Sequence, residues 1–252
     1  MKGIILAGGL GTRMGIFTKR VSNKHTMPVY TNEECIPMIL FPIKTLVDAG
    51  IKEICIVTGG NRHGGDIINL IGDGKEHGIE VLTYEFQYGE GGIADALKRT
   101  KNFVGEDNCC VILGDNYFEN FDLKYFIQHF ENSKEKLKSF VFLKEVSDPD
   151  RFGVATHNEE KILTLEEKPK NPKSNLAVTG LYLYDKNVFN LINICKPSSR
   201  GELEITDVNK LYLEKGILGF TILKTFWSDM GTPKSMKEVH YWMYSSRPQK
   251  SS

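Results

Sequence analysis

Through its first half the chain repeats one unit: a short apolar run, a turn, then an amphipathic stretch. The runs are Gly3 to Ala7 (GIILA), Glu53 to Thr58 (EICIVT), Glu80 to Phe86 and Cys109 to Leu113 (CCVIL). Between them, Pro37 to Asp48, Asp66 to Ile71 and Ile93 to Val104 carry helical apolar spacing, the first with Pro37 near its start and Gly50 just past its end. A strand that is apolar at successive positions has no face to turn to water. It is satisfied in a parallel sheet with helices on both sides. The pattern therefore predicts an α/β fold, with a parallel sheet covered on both faces. In such sheets ligands bind at the carboxyl ends of the strands.

After about residue 138 the texture changes. Ser139 to Val146, Lys161 to Glu166 and Ala177 to Tyr184 (AVTGLYLY) are strand-like, as is the apolar run LGFTILKTFW before Ser228; helical patterns follow at 186–195, 203–215 and 234–245. There is no internal repeat. The stretch KPKNPK at 168–173 reads as an exposed loop, too short to separate independent domains. One domain over 1–252 is expected, with halves 1–137 and 138–252.

Charge narrows the range of partners. Lys plus Arg number 32 and Asp plus Glu 32, a formal net charge of zero. Nucleic acid and an anionic membrane surface both call for a basic excess, so neither is an expected partner. No apolar run approaches the roughly 18 to 20 residues that span a bilayer, and the N-terminal apolar run is too short for a signal peptide. The cysteines, Cys35, Cys55, Cys109, Cys110 and Cys195, are odd in number and form no C-x-x-C pair. A reducing, cytoplasmic compartment is the simplest reading. The six His lack zinc spacing.

A small anionic substrate needs only local cations, and the chain supplies them. Leu6-Ala-Gly-Gly-Leu-Gly-Thr-Arg13 follows the first strand directly. Glycines at 8, 9 and 11 let a backbone approach a ligand and point N–H groups at phosphate oxygens, and Arg13 adds a planar donor fork. Met14 stands where a dinucleotide fingerprint needs its third glycine, which disfavours an NAD-dependent oxidoreductase; a P-loop would need G-K-[ST]. Lys19, Arg20 and Lys24 follow within the next stretch, placed to enclose a triphosphate with Arg13 or else to form a solvated surface. Asp115 ends the CCVIL strand in Gly114-Asp115-Asn116, and Asp229 ends a later apolar run. Two strand-end carboxylates suit Mg2+, which takes few protein oxygens; singly, each Asp is as well explained as a cap. Glu167-Lys168 ends another strand, as an edge ion pair or as a pair for a hydroxyl and a phosphate.

Together these stretches resemble the sugar-1-phosphate nucleotidyltransferases, and within that family the short bacterial glucose-1-phosphate thymidylyltransferases. The matching text is KGIILAGGLGTRM, TKRVSNKHTMPVY, QYGEGGIADA, VILGDN, DPDRFGVA, LEEKPKNPKSNLAVTGLYLYD, KPSSRGELEITDVN and DMGT, in family order across most of residues 2–232. The resemblance implies the nucleotide-diphospho-sugar transferase fold, a Rossmann-like α/β/α sandwich with a mostly parallel central sheet, with residues 1–137 as the nucleotide-binding half and 138–252 as the sugar-binding half. It implies that Leu6, Gly8, Gly9, Gly11, Thr12 and Arg13 wrap the nucleoside triphosphate, and that Gln87 and Gly92 bind the base. Lys24 would contact the phosphates during transfer, and Asp115 and Asp229 would bind Mg2+. Asn116, Gly153, Glu167 and Val178 would line the sugar pocket, while Lys168 and Arg200 would grip the sugar phosphate.

The implied reaction is in-line attack by a sugar-1-phosphate oxygen on the α-phosphorus of the triphosphate, with release of pyrophosphate. dTTP and glucose-1-phosphate are the first expectation; UTP, CTP and a non-catalytic nucleotide-sugar-binding protein are the alternatives. A dimer or tetramer is the family's habit. Departures from its pattern are the longer loop Tyr30 to Pro37, Gly15 and Ile16 after the GTRM motif, and Asp95 where an amide is common.

Overall fold

The computed structural model describes the chain apart from residues 10, 16, 17, 19–21, 61–63, 134, 135 and 246–252 and the side chain of Thr12. Lys19 and Arg20 thus lie outside the described residues. In chain order the strands are β1 (Lys2–Ala7), β2 (Pro28–Tyr30), β3 (Cys35–Pro37), β4 (Glu53–Gly59), β5 (Val81–Gln87), β6 (Cys109–Leu113), β7 (Asn116–Phe118), β8 (Ser139–Glu145), β9 (Gly153–His157), β10 (Ile162–Glu167), β11 (Leu176–Tyr184), β12 (Leu218–Ile222) and β13 (Trp227–Asp229). The helices are α1 (Leu40–Asp48), α2 (Gly64–Ile71), α3 (Ile93–Lys98), α4 (Lys101–Val104), α5 (Leu123–Asn132), α6 (Val188–Ile194), α7 (Ile205–Glu214) and α8 (Pro233–Ser245).

β6, β1, β4 and β5 form the parallel heart of a nine-stranded sheet, and β11 joins β6 antiparallel. β1 shows why. Ile4 and Leu6 enter one core while Ile5 and Ala7 enter the other, so successive side chains are buried on opposite faces. α3, α6 and α7 pack on the first face and α1, α2 and α5 on the second. Cys55, Cys109 and Cys110 are wholly buried in these cores, and burial pushes the Cys55 thiol up to about 12, so they behave as small inert hydrophobes. Among the described residues no helix is long and apolar enough to cross a membrane.

The structure departs from the sequence expectations at several elements. Pro37 belongs to β3, and the helix expected from it begins only at Leu40. The helix expected over 93–104 is two helices, interrupted where the buried Thr100 hydroxyl donates to the Leu97 carbonyl. The run LGFTILKTFW divides into β12, which pairs with β8, and β13, which pairs with β7 in a separate ribbon. The longer loop at 30–37 is the β2–β3 hairpin, tied to α8 through the Asn32 amide on the Tyr244 carbonyl and an edge contact of Tyr30 with His240.

Candidate active site

The ends of β1, β5 and β6 open on a cavity of about 590 Å³. Of the residues singled out above, Leu6, Gly8, Gly9, Gly11, Arg13, Lys24, Gln87, Gly92, Asp115, Lys168 and Arg200 line it. Asp229 meets it from the side, through Gly231.

β1 delivers the chain into the glycine turn. Gly11 has φ +64°, and a Cβ there would lie 3.2 Å from Cβ atoms of both Lys24 and Thr18, so a side chain would be strained by the conformation and crowded by both neighbours. The Thr18 hydroxyl closes the turn on the Gly11 carbonyl at 2.7 Å. Lys24 opens a short 3-10 turn whose entry is braced on both sides. The Asn23 carboxamide oxygen accepts from the His25 N–H at 3.0 Å and lies 2.8 Å from His25 Nδ1, while Asn23 N–H donates to Asp66 Oδ2 at 2.8 Å.

Lys24 Nζ then donates to Asp115 Oδ2 at 2.6 Å. Burial alone would raise the Asp115 pKa, but the ammonium beside it and the amide of Asn116, which donates to Oδ1 at 3.0 Å, hold it well below the usual carboxylate range. Asp229 behaves oppositely. Burial and the neighbouring Asp115 charge push it up to about 6, even though Arg151 Nη2 contacts both its oxygens at 3.0 and 2.8 Å. The two acids are brought together by the β7–β13 ribbon, which pairs Asn116 with Asp229, and by Met230 N–H donating to the Asp115 carbonyl at 2.7 Å.

Gly231 leaves a cradle between them. The place its Cβ would occupy is 3.0 Å from Asp229 Oδ2, 3.3 Å from Asp115 Oδ2 and 3.2 Å from Arg13 Nη2. Among the described residues no group of three or more His, Cys, Asp or Glu could hold a metal by itself. Two hard carboxylates that repel each other across an open cradle fit a divalent cation whose other ligands come from phosphate and water.

The second half contributes a polar wall. The place for a Cβ on Gly153 is 2.8 Å from Thr206 Oγ1, 3.5 Å from Glu167 Oε2 and 3.8 Å from Val178 Cβ, so these four residues meet. Thr206 donates to Glu167 Oε2 at 2.5 Å, and Lys168 Nζ lies 3.3 Å from Glu167 Oε1. Arg200 is held by Glu204 at 2.8 Å, with Glu202 and Glu167 also near. The Asn116 side-chain Oδ1 is taken up inside the protein, accepting from Gly180 N–H at 3.0 Å and Trp227 Nε1 at 2.8 Å. Sequence reasoning assigned no role to Arg151, His25, Thr206 or Gly231. All four stand inside quoted motifs, His25 in TKRVSNKHTMPVY, Arg151 in DPDRFGVA, Thr206 in KPSSRGELEITDVN and Gly231 in DMGT, and that was the signal for them.

His25 is buried, and burial together with the Lys24 charge lowers its pKa from 6.5 to about 3. Below pH 6.5 the unfolded chain takes up a proton that the folded ring refuses. Stability present above that pH is therefore lost as pH falls toward 3, on the order of 5 kcal/mol over the interval. Asp229 acts in the other direction: its raised pKa favours the fold below the usual carboxylate value, and that contribution is lost as pH rises through about 6. In urea titrations from pH 7 to pH 4, His25→Gln should lose about 3 kcal/mol less stability than the parent, since both chains keep Asp229.

The nucleotidyl transferase family model matches residues 2–245. The chain is 42% identical over 243 residues to the glucose-1-phosphate thymidylyltransferase of Neisseria meningitidis serogroup A, covering 95% of this chain and 81% of that one. It is 39% identical over 242 residues to the Mycobacterium tuberculosis enzyme of the same name, again covering 95% and 81%. A Bacillus anthracis protein described as a glucose-1-phosphate thymidylyltransferase and crystallised with sucrose superposes with TM-score 0.88 at 44% identity, over 99% of this chain and 97% of that one. A UDP-glucose pyrophosphorylase with bound UDP-glucose shares the fold at TM-score 0.81 and 22% identity, over 98% and 99% of the two chains.

Proposed function

The chain belongs to the nucleotidyl transferase family, and from that premise we propose that it transfers the thymidylyl group of dTTP to glucose-1-phosphate, giving dTDP-glucose and pyrophosphate. The observation that carries the reading is the convergence of Arg13, Lys24, Asp115 and Asp229 at one edge of the cavity, around Gly231. Such a set suits two polyanions that must be brought together.

In this reading the N–H groups of the glycine turn and the side chains of Arg13 and Lys24 neutralise the triphosphate and hold the α-phosphorus in place. Lys168 and Arg200 hold the phosphate of the sugar, and Glu167, Gly153 and Val178 border its ring. Asn116 serves chiefly as a brace, because its side-chain Oδ1 is already occupied. Mg2+ between Asp115 and Asp229 would supply charge neutralisation and polarise the α-phosphate. A sugar-phosphate oxygen then attacks the α-phosphorus. The bond to the bridging oxygen breaks, and pyrophosphate leaves with the electron pair. The nucleophile is already ionised, so no general base is needed, and alignment of two bound anions provides most of what the protein adds.

Residues 1–137 hold the nucleotide and 138–252 the sugar, but Asp229 pairs with Asn116 and Gly231 sits against Arg13 and Asp115, so the second half reaches back to the first and the two work as one domain. A cytoplasmic location belongs to the same proposal. The test incubates the protein with Mg2+, glucose-1-phosphate and each nucleoside triphosphate in turn and measures pyrophosphate. Release with dTTP that depends on the sugar phosphate is expected. Silence with all nucleotides across a panel of hexose-1-phosphates rejects the proposal.

A further inference from the structure

We propose that Asp95, acting through Gln87, selects a base carrying an imino N–H, thymine or uracil, over cytosine; the inference rests on the nucleotidyl-transfer reading for the ligand. Gln87 ends β5 on the wall of the cavity. Its Nε2 donates at 2.9 Å to the Gly92 carbonyl and at 2.9 Å to Asp95 Oδ2. Both partners can only accept, so both amide hydrogens are committed and the amide has one orientation. Its Oε1 receives no hydrogen bond from the described residues and faces the glycine turn, 2.8 Å from where a Cβ on Gly8 would sit.

The side chain therefore presents an acceptor, and no donor, to whatever enters. Thymine and uracil meet it with N3–H. Cytosine meets it with an N3 lone pair and would have to shift to offer its amino group. An amide at position 95, which could turn either its oxygen or its nitrogen toward Gln87, would leave that polarity open. The carboxylate does not, and Arg99 Nη2, 3.4 Å from Asp95 Oδ1, holds it in place. Asp95 touches no reacting group in this account; it is a positioning residue.

The experiment is calorimetric binding of dUTP and dCTP, which differ only at the base positions in question, to the full chain with Mg2+. The parent should bind dUTP at least about tenfold more tightly than dCTP, the worth of one hydrogen bond made or left unmade. In Asp95→Asn and Asp95→Ala the preference should shrink by about tenfold where Asp95 anchors the amide through a charged hydrogen bond, with dCTP binding more tightly than to the parent. Equal binding of the two nucleotides by the parent overturns the proposal. So does an unchanged preference in both variants, or an equal loss for both nucleotides, which marks a purely structural role. Because binding is read without turnover, a selective parent that makes no nucleotide sugar would sink the transfer reading and leave Asp95 in place.

Discussion

Asp115→Asn is expected to lower the rate of pyrophosphate release by at least about a hundredfold, the scale of losing a preorganised charge at a phosphoryl centre. The substitution keeps the shape of the side chain and changes its charge. Asp115 sits in the turn between β6 and β7, is buried, and is fixed by Lys24 on one oxygen and Asn116 on the other. The asparagine would leave Asp229 as the lone acid at the Gly231 cradle and the Lys24 ammonium without its partner. Wild-type circular dichroism with lost turnover would assign the defect to chemistry. A variant that turned over at the parent rate would show that Asp115 holds no metal.

Lys24→Met should cost turnover about a hundredfold to a thousandfold, and for a second reason besides the missing cation. The ammonium is what overrides burial at Asp115 and keeps that carboxyl ionised. Without it, two buried carboxyls face one another across the cradle, and one retains its proton to higher pH. The residual activity of Lys24→Met should therefore rise with pH over a range where the parent's is flat. Lys24→Arg restores the charge but spreads it over a planar fork, and only partial recovery is expected. Full activity in Lys24→Met, with a parent-like pH profile, would remove Lys24 from the phosphate site.

The parallel half of the fold was legible because its strands are apolar on both faces, a pattern that few arrangements satisfy. The Gly8–Arg13 turn and Asp115 were legible for the same reason, since each follows directly on such a strand. What could not be read locally was the pairing of Asp115 with Asp229, 114 positions apart. It depends on β7 and β13, three residues each, too short to carry any periodicity. α5 was missed although Leu123, Phe126, Ile127 and Phe130 have helical spacing and Asp122 caps the first turn on Tyr125 N–H. Apart from its place in the TKRVSNKHTMPVY motif, the buried His25 gives no local signal of burial, because a histidine next to a lysine reads as part of a basic surface. Its neutrality follows only from its burial in the fold, where its ring lies against Gly114. The odd choice of Asp95 was visible in the sequence as a departure, and acquired meaning only with the Gln87 amide in place.

The central claim is that the α-phosphate of the triphosphate ends on the sugar phosphate and not on water. dTTP labelled at its α-phosphate, incubated with the protein, Mg2+ and glucose-1-phosphate, follows that phosphate directly. The account predicts that the label appears in dTDP-glucose, one equivalent for each pyrophosphate released, and that none appears without the sugar phosphate. Label recovered as dTMP at the same rate with or without glucose-1-phosphate would contradict it.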